Sequence, residues 1–337
     1  MTLNRKTIIN ALLLLFAVLV FVLIGIKTDW HKTWQSVQNA QPAWFLASLA
    51  FMLSAHWARG ARWTLLTEPA GFPLSKRRSF YAVMVGYLVN VATSRGGEFA
   101  RCALAAKSEK APVEMLIGTV VTERIIDMLM LLLVCLVTLL VQFDYIYGFF
   151  ETYVFKGLSG IASTRNLTIL GILLAAAVVF FILWKRRQKA QSTAANPENP
   201  GGIKGIILRF ANGLNTVFKL KQPWLFMALS AAIWVGYWLS TWCLLESLEV
   251  TAGLNALNAL SVVIFASIGI AIPLPAGAGV WGAVSLGLST VYGLSTDAAE
   301  TYGFYTLAVS NLNMIIIGSI CYGLLYFEMQ KLLKNDS

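Results

Sequence analysis

Charged residues stand in this chain where an apolar run should carry none. The stretch SRGGEFAR (94–101) brings Arg95, Glu98 and Arg101 to the end of an apolar run, 80–92, that carries Asn90, and TERIID (122–127) sets Glu123, Arg124 and Asp127 inside another. Glu123 and Asp127, at i and i+4, share one face of a helix, with Arg124 about 100° away. Brought together, the two stretches form a polar cluster of Arg95, Glu98, Arg101, Glu123, Arg124 and Asp127, with acids and arginines in equal number. Two chemistries fit that composition. One is a self-neutralised ion-pair network that holds its helices in place. The other is a substrate or proton path, because ionisable groups are costly in lipid and are kept there for function. Both can hold at once, since a guanidinium paired to a carboxylate can exchange it for a phosphate with the same bidentate geometry.

The elements that must position these residues follow from composition. With 58% hydrophobic and 12% charged residues, 11 tryptophans and a mean hydropathy of +0.69, the chain is too apolar for a soluble domain. It reads as an all-α polytopic membrane protein. Runs near the roughly 20 residues that span a bilayer occupy 8–26, 44–66, 115–141, 167–184, 224–245 and 302–327. They are continuous rather than alternating, so six spanning helices are predicted and not a barrel. The first run follows Arg5 and Lys6 but lacks a small-residue cleavage pattern, and is read as a retained helix.

Two shorter apolar pieces decide the architecture. Residues 79–93 run into SRGGE, and 257–272 run into PLPAGAGVWG, with Pro273, Pro275, Gly277 and Gly279 at the turn. Each is too short to span comfortably and is followed by a second short segment, 99–110 and 280–291. Two re-entrant helical hairpins with Gly/Pro tips at membrane depth are predicted, a backbone tolerated only where protein or a wet cavity surrounds it.

The placement of lysine and arginine agrees. With a cytoplasmic N-terminus, only Lys27, Lys32, Lys156 and Arg165 fall outside. Arg95, Arg101 and Arg124 are intramembrane, and the other bases, Arg59 and Arg62 among them, fall on or next to the cytoplasmic face. Counting the first hairpin as one span would export KRRQK (185–189), and counting the second would export Lys331 and Lys334. The halves then have opposite orientations, each a span, a hairpin and a span, the pattern of inverted-repeat transporters. The chain is thus one integral membrane domain over 1–337. A first half, 1–184, holds the first hairpin; 185–222 is a cytoplasmic linker and interfacial helix; 223–327 holds the second hairpin; and 328–337 is a cytoplasmic tail.

Within the linker, Ile203, Ile206, Ile207, Phe210, Leu214, Val217 and Phe218 recur at near-helical spacing among basic residues. Such a helix lies in the interface over anionic lipid or caps the bundle. The net charge of +10 needs no nucleic acid, because the bases sit where an inner leaflet would attract them. Cys102, Cys135, Cys243 and Cys321 show no metal-ligand spacing and are read as packing residues. His56 lies within a span and is read as packed or hydrogen-bonded rather than as a ligand. No H-E-x-x-H, G-x-S-x-G or P-loop is present, and no cofactor or metal is expected. An intramembrane lipid transferase would need Glu123 or Asp127 as a base, and nothing in the sequence singles either out.

RGARW (59–63), Asn90, SRGGEFAR, TVVTERIID and the late P-x-P-x-G-x-G loop together resemble the lysylphosphatidylglycerol synthase transmembrane-region family, the flippase-like membrane domains. The resemblance covers roughly residues 8–327. It implies a lipid translocation domain for phospholipids or lipid-linked head groups in the bacterial inner membrane. Both termini would be cytoplasmic, and membrane lipids, anionic ones above all, would be its partners. Mapped by position, it makes Asn90, Arg95, Glu98, Arg101, Glu123, Arg124 and Asp127 the polar site, and Pro273, Pro275, Gly277 and Gly279 the second tip. A non-transporting scaffold for a separate lipid-modifying enzyme is the alternative. Full-length synthases append a soluble aminoacyl-transferase domain; this chain ends shortly after Phe327, so no aminoacyl transfer is expected of it. The second tip departs from the family's P-G-G-x-G followed by a polar or acidic residue; Asn311 and Asn313 on the last span are read either as substitutes for that polar group or as interhelical hydrogen-bonding residues.

Overall fold

A computed structural model of the chain describes residues 29–93, 96–143, 202–272, 274 and 277–335. The predicted spans 8–26 and 167–184, KRRQK and three predicted site residues, Arg95, Pro273 and Pro275, lie outside the described residues. Residues 1–142 and 207–337 form one compact unit, and 143–206 a second.

Ten α-helices are described. The first, α1 (Trp30–Gln38), is capped by the Asp29 carboxylate, which accepts from the Lys32 amide. It leads into α2 (Pro42–Thr67), which starts on a proline whose missing N–H costs nothing in the first turn. Two short helices follow, α3 (Lys76–Ala92) and α4 (Gly97–Glu109), and then the long α5 (Val113–Val141). The second half runs through α6 (Gly202–Leu214), α7 (Pro223–Ser247), α8 (Ala256–Ala271), α9 (Ala278–Tyr292) and α10 (Thr296–Asn335). Three of these, α5, α7 and α10, are long and apolar enough to cross a membrane. α2 has 26 residues, about 39 Å, but carries His56, Arg59 and Arg62. The fold is that of an all-α polytopic membrane protein.

Each predicted hairpin stretch gives two short helices that pack on each other, α3 on α4 and α8 on α9. Helices α3, α4, α8 and α9 have 17, 13, 16 and 15 residues, roughly 20–26 Å each against a ~30 Å hydrocarbon core. At the base of the first hairpin, Arg78 pairs with Glu109 at 2.5 Å, joining the start of α3 to the end of α4 next to where α5 begins. At the base of the second, the Gln142 side chain at the far end of α5 donates to the Leu257 carbonyl and accepts from Tyr292, joining the start of α8 to the end of α9. The hairpins therefore open from opposite ends of α5. The helix pairing repeats with the halves exchanged: α2 packs on α7, α3 on α10 and α8 on α5.

Lipid tails are as apolar as leucine, so close packing and hydrogen bonds must hold such helices together. Glycine supplies the closeness at both crossings. A Cβ on Gly86 of α3 would lie 2.8 Å from the Gly97 carbonyl oxygen of α4, and one on Gly97 would run into the Gly86 carbonyl. In the second hairpin a Cβ on Gly269 of α8 would lie 2.5 Å from Val280 Cα, and one on Gly279 of α9 would run into the Gly269 carbonyl. The halves share this device although their sequences are not visibly alike. Of the two positions predicted for α6, its second half takes the one on the bundle. Gly213 packs against Gly118 and Met115 of α5, and Thr122 Oγ1 donates to the Leu214 carbonyl at 3.3 Å.

Candidate functional site

The buried charges gather where α2, α4 and α5 meet. One face of α2 presents His56, Arg59, Arg62 and Trp63, at the i, i+3, i+6 and i+7 positions of a helical stripe. The Asp127 carboxylate on α5 is shared by two of them: Arg59 Nη1 lies 2.8 Å from Oδ2 and Arg62 Nη2 lies 2.7 Å from Oδ1. One turn away, Glu123 Oε2 takes Arg101 Nη2 of α4 at 2.6 Å, and Oε1 lies 3.5 Å from Arg62 Nη2. The Glu123, Arg62 and Arg101 side chains are 0%, 0% and 4% exposed. Arg62 also donates to Ser230 of α7 at 3.2 Å. Aromatic faces cover two guanidiniums: Arg101 lies 4.8 Å from the Trp63 ring centroid and Arg62 5.6 Å from that of Phe226. Trp63 is itself held by its indole N–H donating to Thr119 Oγ1 at 2.9 Å.

The network has one exposed edge. Arg124 and Glu98 pair at 2.9 Å with side chains 40% and 38% exposed, and Arg124 Nη1 reaches Asp127 Oδ2 at 3.6 Å.

Sequence reasoning brought together Glu98, Arg101, Glu123, Arg124 and Asp127, and the structure joins all five in one network. It left Arg59 and Arg62 out of the site, grouping them with the bases on or next to the cytoplasmic face. They are 4% and 0% exposed and hold Asp127. The predicted charge balance is corrected with them: among the described residues, Arg59, Arg62, Arg101 and Arg124 face only Glu98, Glu123 and Asp127. Some donors stay unused. The Nε atoms of Arg59, Arg62 and Arg101 are buried without a hydrogen-bond partner, as is Glu123 Oε1. Such atoms are costly unless a ligand or water completes them. The signal in the sequence was RGAR itself, two arginines at i and i+3 that match an E-x-x-x-D face.

Asn90 sits beside this network rather than in it. Its Oδ1 accepts from the Gly97 amide at 2.8 Å across the first hairpin turn, satisfying an orphan N–H at the start of α4. In the second half Gly277, at φ 68, precedes α9 in a left-handed conformation with only Leu307 and Val280 near its Cβ position, whereas Gly279 is the close-packed one. No ion pair joins the second tip to the charge network among the described residues. Asn313 of α10 is buried, with its Nδ2 unpartnered. Cys102, Cys135, Cys243 and Cys321 are free thiols. Among the described residues no three His, Cys, Asp or Glu side chains are grouped to hold a metal ion.

Fold and site define a helical membrane protein with two short hairpins opening from opposite ends and a buried arginine–carboxylate network beside the first. The chain belongs to the Lysylphosphatidylglycerol synthase TM region family, which it matches over residues 8–318, and is thus a flippase-like membrane protein. No curated protein and no solved structure matches it.

Proposed function

We propose that the protein translocates a phosphate-bearing lipid head group, an anionic phospholipid or another lipid-linked phosphate, across the cytoplasmic membrane. The observation that carries this reading is the surplus of arginine: four guanidiniums face three carboxylates among the described residues, with three buried Nε–H donors unused. A phosphate adds negative charge and paired acceptor oxygens that a planar guanidinium can take bidentately, where both are short. The hairpins are read as re-entrant, with cytoplasmic termini and inverted halves. The head group then passes through the polar interior while the acyl chains stay in lipid. Membrane lipids are the partners, and movement is downhill or ion-coupled, in keeping with the lack of a P-loop in the sequence. The test is translocation of a labelled short-chain phosphatidylglycerol, with phosphatidylcholine beside it, in vesicles reconstituted with the full chain. Preferential movement of the anionic lipid is expected. Equal rates with and without protein overturn the proposal.

A further inference from the structure

We propose that His56 is the proton site that couples to head-group capture, taking up one proton when an anionic phosphate joins the arginines; this rests on the reading above. His56 is 4% exposed and neither ring nitrogen has a hydrogen-bond partner. A buried imidazole left this way forfeits the bonds it would make in water. It is also not a spacer in an apolar core. Its ring lies 4.7 Å from that of Tyr87 on α3 and 6.0 Å from that of Tyr237 on α7, so it sits where α3 of the first hairpin meets α2 and α7.

The charges around it set the coupling. On α2, Arg59 lies one turn on, on the same face, and its charge acts on the ring. From α3 and α7 the ionisable neighbours are Tyr87 and Tyr237, which also act on Arg59. From α5, Asp127 holds Arg59 at 2.8 Å, with Glu123 and Arg124 on the same helix and Arg101 of α4 on Glu123. With Arg59 matched by Asp127, no carboxylate bonds to the ring, and a second N–H on it has no acceptor. A phosphate drawn to the Arg59 guanidinium changes both conditions. It brings negative charge within a helical turn of the ring, and it loosens Asp127 from Arg59.

The proton balance is simple. A proton from the aqueous phase forms an N–H bond at the free ring nitrogen as the anion enters, and that bond breaks to water when the anion leaves on the other side. One positive charge then travels with the head group, which lowers the net charge moved through the low-dielectric interior.

The sequence has two histidines, His31 and His56, and His31 is exposed on α1. A His31→Gln chain, without an affinity tag, therefore reports on His56 alone by nitrogen-15 NMR. At a fixed pH near 6.5 we expect the imidazolium signal to grow when dioctanoyl phosphatidylglycerol replaces dioctanoyl phosphatidylcholine. In vesicles, phosphatidylglycerol translocation by the parent should rise several-fold as the pH is lowered, and His56→Gln should flatten that profile. If His56→Gln does not fold, the NMR measurement on the His31→Gln chain decides alone. Phosphatidylglycerol that binds and moves with no change at His56 overturns this inference and leaves the proposed function standing. Failure of phosphatidylglycerol to bind or move at any pH overturns both.

Discussion

Arg124→Gln separates transport from scaffolding, because the structure assigns the two roles different costs at this residue. Its partners are Glu98 at 2.9 Å and Asp127 at 3.6 Å, and its side chain is 40% exposed. Solvent screens such a pair, so its loss costs at most about 1 kcal/mol of stability, a shift in melting temperature of roughly 2–4 °C or less. Asp127→Asn is the contrast. It leaves the buried Arg59 and Arg62 without the carboxylate that both hold, and breaking a buried pair costs about 3–5 kcal/mol. If the arginines capture phosphate, losing one charge-assisted bond removes about 1.5–3 kcal/mol of binding. That is roughly a ten- to hundredfold fall in capture of the anionic lipid. Arg124→Gln should therefore fall by that factor in phosphatidylglycerol translocation at low lipid concentration while melting within a few degrees of the parent. Detergent-solubilised protein gives the melting curve, and reconstituted vesicles give the rate. If Arg124→Gln translocates like the parent, or if both variants lose folding and transport in proportion, the charges are scaffolding and the reasoning fails.

The glycines give a second set of expectations. Gly97→Ala and Gly279→Ala each put a methyl group into the facing carbonyl of Gly86 or Gly269, so both should lose several degrees of melting temperature or fail to reach the membrane in folded form. Gly277 has open space but φ 68. There Gly277→Asn should be milder than Gly277→Val by about 1 kcal/mol or more in thermal melts, because asparagine visits the left-handed region and a β-branched residue does not. Gln142→Ala should loosen the second hairpin specifically, seen as faster hydrogen exchange at the start of α8 and the end of α9, with the first hairpin unchanged. For topology, a cysteine at Thr152 should react with an impermeant thiol reagent in intact cells and one at Ser192 should not. Labelling of Ser192 from outside refutes the proposed orientation.

Much of the fold was legible because its causes are local. Each residue's cost in lipid depends on its own side chain, so the long apolar runs announce spans wherever they fall. Runs too short to cross, ending in SRGGE and PLPAGAG, announce hairpins for the same reason. The five network residues Glu98, Arg101, Glu123, Arg124 and Asp127 were likewise found one by one, each conspicuous for its charge against an apolar background.

Partnership is not local, and there the sequence stopped short. Arg59 and Arg62 come near the end of the apolar stretch in α2, where hydropathy alone assigns them to the membrane surface. Only the rotation of α2 against α5 turns them onto Asp127 at 2.8 and 2.7 Å, and with them a balanced cluster becomes one with a surplus guanidinium. The role of Asn90 as the acceptor for Gly97, the two glycine crossings and the opposite placement of the hairpin bases along α5 depend in the same way on which helices lie side by side. Sequence by itself determined which segments must leave water and which residues are out of place there. The tertiary structure alone decided which of those residues meet, because a contact between helices is set by their relative rotation and register, and no single segment encodes either.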